Sequence, residues 1–138
     1  NLLTGPKGSG KTQQMIDLAN KAVKDCNGNV VFIKKSRRDT YSLSFDVRAI
    51  SMDDYQVIDT TAAYIGFIYG ILGGNSDIEA IFIDGLLKHA DITLESLPGV
   101  IESLKKISKE QDVEFYASVS ATTEQLSSCD LSDCKILN

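Results

Sequence analysis

Eight residues near the start of the chain, Gly5-Pro6-Lys7-Gly8-Ser9-Gly10-Lys11-Thr12, constrain the fold more than any other stretch. They fit the pattern G-x-x-x-x-G-K-S/T at every defined position. Glycines let the backbone turn tightly and approach a ligand with no Cβ in the way. The N–H groups from Gly8 to Thr12 are then free to converge on an anion at a helix N-terminus. In such a loop the lysine, here Lys11, supplies a point charge for β- and γ-phosphates, and the hydroxyl, here Thr12, is a ligand for Mg²⁺.

The flanks agree with that expectation. Asn1-Leu2-Leu3-Thr4 reads as the stub of a strand, and Met15, Leu18, Ala19, Ala22 and Val23 recur at helical spacing after Lys11. Asn27-Gly28 reads as the helix C-cap. Val30-Val31-Phe32-Ile33 is a wholly apolar run, as expected of a strand buried on both faces of a parallel sheet. Val47 to Ser51 suits another short strand. Ala62 to Leu72 is apolar almost all round, which predicts a helix buried on more than one side or hidden in an oligomer contact, stopped by Gly73-Gly74-Asn75.

Ala80-Ile81-Phe82-Ile83 is the next buried strand and ends at Asp84. Leu97, Ile101, Leu104 and Ile107 mark one face of a helix with Ser96 at its N-cap and Pro98 in its first turn. Val113 to Ser120 is a further strand, and Cys134 to Leu137 a short last one. Strands alternating with helices predict an α/β domain with a mostly parallel sheet, spanning residues 1–138 as a single unit. In such sheets ligands sit beyond the carboxyl ends of the strands, where the glycine loop, Asp84 and Ser120 all fall.

Composition bounds the partners. A net charge of −5 argues against a general nucleic-acid or anionic-membrane partner. No apolar run approaches the ~20 residues of a membrane helix. Cys26, Cys129 and Cys134 have no metal-binding spacing and read as free thiols of a reducing, cytoplasmic setting.

Asp84 closes an apolar strand, as the aspartate that positions Mg²⁺ does in nucleotide-hydrolysing folds. Gly85 follows it where many ATPases carry the glutamate that orients the attacking water, and a glycine takes no proton. Glu79 lies at the far end of that strand, while Asp91 and Glu95 lie downstream. Ser118 and Ser120 are polar positions in an apolar strand: if it lies between the strand before the glycine loop and the one ending at Asp84, one serine is placed to sense a γ-phosphate, and the alternative is a hydroxyl bonded to neighbouring backbone. Lys34, Lys35, Arg37 and Arg38 form a basic cluster that is either a solvated loop or an anion site. His89, the one histidine, reads as an exposed helix residue.

These residues resemble the P-loop NTPase superfamily over nearly the whole chain, closest to its RecA-like and thymidine-kinase-like branches. Thr4 to Thr12, Val31-Phe32-Ile33-Lys34-Lys35 and Asp39-Thr40-Tyr41 are similar to the opening of bacterial thymidine kinases. That family carries Asp-Glu where this chain has Asp84-Gly85, and a zinc-bound lasso domain with no counterpart here. Ile83-Asp84-Gly85-Leu86-Leu87-Lys88 and Ser118-Val119-Ser120-Ala121 are also similar to short clostridial P-loop proteins, some labelled twitching-motility ATPase. The resemblance implies a three-layer P-loop domain with a RecA-like sheet and a bound Mg²⁺–ATP.

The resulting expectation is a Mg²⁺–ATP-binding protein with weak or partner-dependent ATPase activity. Gly5, Gly8, Ser9, Gly10, Lys11, Thr12, Gln13 and Ser120 are the candidate nucleotide-binding residues. Lys11 and Asp84 are the candidate catalytic ones, and Thr12 and Asp84 the candidate metal ligands. Two alternatives stay open: a small-molecule, nucleoside-type kinase with Arg37 and Arg38 at its acceptor site, and a non-catalytic switch in which ATP orders a surface for a protein partner. A homo-oligomer also fits the apolar helix.

Overall fold

The computed structural model describes residues 1–36 and 42–137. The expected roles of Arg37 and Arg38, and the Asp39-Thr40-Tyr41 stretch, lie outside the described residues. Among the described residues, β1 (Leu2–Thr4), β2 (Asn29–Lys34), β3 (Val47–Ser51), β4 (Ile78–Ile83) and β5 (Glu114–Val119) form one sheet. All its pairings are parallel and its order is β1-β5-β4-β2-β3. Three helices, α1 (Lys11–Asp25), α2 (Thr61–Gly74) and α3 (Leu97–Gln111), connect the strands. The α/β class is as expected, and this layout is compatible with a RecA-like sheet.

The central strands β2 and β4 are buried on both faces over Val30 to Ile33 and Ala80 to Ile83, which is why those stretches read as unbroken apolar runs. On one face α1 lays Met15, Ile16 and Ala19 against Leu3, Val30, Phe32 and Phe82. On the other, α2 and α3 cover Leu2, Val31, Ile33, Ile81, Ile83 and Val119. Each fully buried Ile or Phe contributes about 1.5–3 kcal/mol relative to exposure. Phe82 anchors the first face, stacking on Tyr116 at 4.3 Å between ring centroids. Among the described residues no helix is long and apolar enough to cross a membrane.

Several expectations about local structure are corrected. Gly28 is not a left-handed cap: α1 ends at Asp25 with an extended Cys26 beyond it. Glycine is needed at position 28 because a Cβ there would collide with the Asp77 carbonyl oxygen. Gly73 and Gly74 do not stop α2 but form its last turn, and Asn75 leaves it in extended conformation. Nor is α2 buried on several sides. A single stripe of Tyr64, Ile68 and Leu72 is buried, while Ala62, Ala63, Gly66 and Gly70 are exposed. The helix is apolar all round because small residues, rather than charged ones, occupy its outer face.

Ser96 does sit at the N-cap of α3 with Pro98 following, but its side chain turns backwards, with Ser96 Oγ accepting from the Thr93 N–H at 2.9 Å. Thr93 Oγ1 reciprocates from the Ser96 N–H at 3.3 Å. Residues 134–137 contribute only one bridge, Ile136 beside Leu2, on the free edge of β1. The strand order carries the main consequence for function. With β5 inserted between β1 and β4, Thr4 pairs with Val119 and Ile83 with Ala117. The carboxyl ends of three strands far apart in sequence therefore open side by side.

Candidate functional site

The loop after β1 takes the shape its glycines allow. Gly5, Gly8 and Gly10 have φ of 137°, 85° and 84°, in the region that L side chains avoid. Gly10 is also the N-cap of α1, and no side chain of the described residues caps the first turn. A helix N-terminus left that way offers free N–H donors and the positive end of the helix dipole to an anion. Pro6 to Gly10 are all exposed, so the donors are reachable. On its far side the loop is tied down where the Gly5 N–H donates to the Ala121 carbonyl at 2.9 Å.

Lys11 is folded back over this loop. Its Nζ donates to the carbonyls of Gly5 and Pro6, at 3.0 and 2.8 Å, and to Ser9 Oγ at 3.3 Å. The residue is 8% exposed. Burial lowers the ammonium pKa from its ordinary value, opposed by the charge of Asp84. An ammonium held only by neutral carbonyl and hydroxyl oxygens keeps its charge uncompensated by any direct contact, ready for an anion.

Thr12, exposed in the first turn of α1, donates its hydroxyl to Asp84 Oδ2 at 3.1 Å. The carboxylate is fixed from the other side by Ser118, whose Oγ donates to Asp84 Oδ1 at 2.9 Å. The same Oγ accepts the Gly85 N–H at 2.7 Å, and the Asp84 N–H reaches the Ile33 carbonyl at 2.9 Å. Lys11 and Thr12 from the start of α1, Asp84 just past β4 and Ser118 of β5 are thus gathered into one polar cluster.

Other expected site residues stand apart from that cluster. Ser120 is exposed one residue past β5, in a tight turn closed by the Ala121 N–H on the Val119 carbonyl at 2.9 Å. Gln13 is turned along its own helix, donating to Asp17 Oδ1 at 2.9 Å. Lys35 pairs with Asp53 at 2.9 Å on the surface.

The acids near Gly85 are occupied. Asp91 accepts the Thr61 N–H and the Thr61 hydroxyl, both at 2.6 Å, capping α2. Those two bonds hold its carboxyl below the usual aspartate range. Glu79 accepts the Gly28 N–H at 2.6 Å at the amino end of the sheet. Gly85 itself has φ of 70°, and a Cβ there would lie 3.1 Å from Lys88 Cδ. The backbone after β4 is therefore built for glycine, and an acid at this position would be strained.

His89 overturns its expected exposure. It is 0% exposed, and its Nε2 lies 2.8 Å from the Asp84 carbonyl oxygen. The carbonyl only accepts, so Nε2 carries the proton. Burial lowers the ring's pKa, which favours the neutral form. The sequence carried little signal for this, since His89 stands between charged Lys88 and Ala90-Asp91. Ser118 was legible as a polar position, but its preference for Asp84 depended on the register between β4 and β5.

A nucleotide-bound divalent cation suits this donor set better than an isolated one. Within the cluster Thr12 and Asp84 place one hydroxyl beside one carboxylate, while the Ser118 hydroxyl is engaged by Asp84 and the Gly85 N–H, and Mg²⁺ commonly takes a few protein oxygens while filling its octahedron with phosphate oxygens and water. Among the described residues no group of three or more His, Cys, Asp or Glu side chains gathers to hold a metal by itself. In comparison with known proteins, the chain matches no family model and no curated sequence.

Proposed function

We propose that the chain binds Mg²⁺–ATP at the loop of residues 5–12 and turns it over slowly or only with a partner. The observation that carries this reading is the Thr12 hydroxyl at 3.1 Å from the Asp84 carboxylate, two residues 72 positions apart held as a ready pair of oxygen ligands. The N–H groups of Gly8 to Thr12 would receive the phosphates, Ser9 giving up its bond to the Pro6 carbonyl, and Lys11 would exchange its carbonyl partners for phosphate oxygens. Thr12 and Asp84 would hold the cation, which when bound neutralises charge on the β- and γ-phosphates.

The reading of slow turnover rests on the surroundings of Gly85. A strained glycine position takes the place of the usual acid, Asp91 is spent on α2, and Glu79 lies at the opposite edge. No side chain described in this cluster besides Asp84 is an acid, and Asp84 is engaged by two hydroxyls. Electrostatic stabilisation by Lys11 and the loop would remain, without proton transfer to a dedicated base.

The test is equilibrium binding of ATP and GTP, with and without Mg²⁺, followed by ADP release over hours. Saturable Mg²⁺-dependent binding with little ADP is the expected result. Rapid steady release from the protein alone would sink the slow-turnover half, and no binding of either nucleotide would sink the reading itself.

A further inference from the structure

The Asp84 carboxylate is not held by its own strand alone. Its residue sits at the first step of a turn that leaves β4 through left-handed Gly85 and a short 3-10 turn, Leu86–Lys88. A turn of this kind keeps its shape only if its peptide groups have fixed partners. Ile33 takes the Asp84 N–H, Ser118 takes the Gly85 N–H, and the Asp84 carbonyl receives the His89 Nε2–H at 2.8 Å. The imidazole is therefore the third anchor of the peptide that aims the carboxylate at Thr12.

The ring is in turn fixed from below. Tyr64 of α2, itself fully buried, lies against it at 5.4 Å between centroids with a 30° tilt. The segment beyond it is pinned by the Ile92 N–H on the His89 carbonyl, at 3.1 Å, and by Asp91 on the start of α2. His89 Nδ1 and the Tyr64 hydroxyl have no partner among the described residues. A buried nitrogen without a partner is unfavourable, and an apolar side chain would fill this space without it. What the imidazole adds over leucine is the N–H for the Asp84 carbonyl. The ring is enclosed and packed under the turn, so it does not serve as a base for a ligand outside.

We infer that His89 is a positioning residue, which acts through the main-chain carbonyl of Asp84 to hold the carboxylate where it and Thr12 share a cation. This rests on the Mg²⁺–nucleotide reading of the site. Partners that orient a metal ligand commonly matter 10–100-fold in metal affinity when removed. The effect belongs to the cation-dependent part of binding, because the N–H groups of the loop and Lys11 do not depend on the turn.

The experiment compares ATP affinity in Mg²⁺ and in EDTA for wild type, His89→Leu and His89→Gln. His89→Leu should lose about 10-fold or more of the Mg²⁺-dependent gain while its affinity in EDTA stays unchanged. His89→Gln, which keeps a donor, should recover part of that gain. Equal loss in both buffers, or an undiminished Mg²⁺ gain, would overturn the inference.

If the variants do not fold, ring ¹⁵N spectra of the wild type decide, since the chain has a single histidine. The expected spectrum is the Nε2–H tautomer, shifting when Mg²⁺ joins bound ATP but not when ATP binds alone. An Nδ1–H tautomer, or a ring blind to Mg²⁺ while ATP binds, would overturn it. Absence of any ATP binding would defeat the site reading and the inference together, and is recognised by a silent response in both arms.

Discussion

The loop of residues 5–12 and the turn of residues 84–91 both leave the carboxyl end of a strand and both use left-handed glycine, yet they are held by opposite means. The loop is exposed from Pro6 to Gly10 and is stabilised by its own lysine, reaching carbonyls five and six residues away. The turn is fastened by groups 34 and 33 residues distant, Ser118 on Asp84 and on the Gly85 N–H, and by a buried histidine. On the proposed reading, one is a binding device whose lysine bonds are exchangeable for those of a ligand, tied to the sheet by the Gly5 N–H on the Ala121 carbonyl. The other is a rigid bracket whose bonds have no such substitutes.

The comparison predicts unequal sensitivity. Ser118→Val should be the most damaging change, because it leaves the half-buried Gly85 N–H without an acceptor and deprives Asp84 of a donor. The expected loss is about 2–3 kcal/mol in urea unfolding. Ser9→Ala, in the loop, should cost no more than roughly 0.5 kcal/mol, the usual range for an exposed position. Equal losses would break the distinction between bracket and device.

Gly85→Glu comes next. It supplies the acid that many ATPases carry after the strand-end aspartate, but at φ of 70° it should cost about 1–2 kcal/mol of stability. ADP release should not rise, since the strained carboxyl has no preset path to the phosphate; a large rise would show that the missing acid alone limits turnover.

The smallest effect is expected at Asp91, which ties the far end of the bracket to α2. Hydrogen bonds from Thr61 depress its folded-state pKa, so its contribution is present above the unfolded aspartate value of about 3.9 and is lost as pH falls through the lower folded value. Asp91→Ala should therefore be less stable than wild type at neutral pH, with the gap closing in acid. A gap that does not change with pH would mean that the charge is irrelevant to the cap.

The same contrast explains what the sequence disclosed. Residues 5–12 declare themselves because their shape is set by their own glycines and by Lys11 on the Gly5 and Pro6 carbonyls, and the α/β class follows from apolar runs such as Val30 to Ile33 and Ala80 to Ile83. Gly85 was legible as a missing acid, but its left-handed backbone was not. Ser118 and Ser120 are two residues apart in the sequence, and nothing short of where β5 ends and its register against β4 chooses between them as partner of Asp84. His89 looked like a surface residue because its neighbours on α2 and its acceptor at Asp84 meet it only after the chain has folded. Gly28 was misjudged for a related reason: its constraint is the Asp77 carbonyl, some fifty residues away.

The central claim, that residues 5–12 receive a nucleotide, is tested most directly by thermal unfolding of wild type and Lys11→Ala with Mg²⁺–ATP, Mg²⁺–GTP or ADP. A ligand at ~100 times its Kd should stabilise the fold by about 2.7 kcal/mol, a shift of several degrees for a domain near this size. The account predicts that shift with Mg²⁺–ATP for wild type and none for Lys11→Ala. A wild type that does not respond, or a variant that shifts equally, would contradict it.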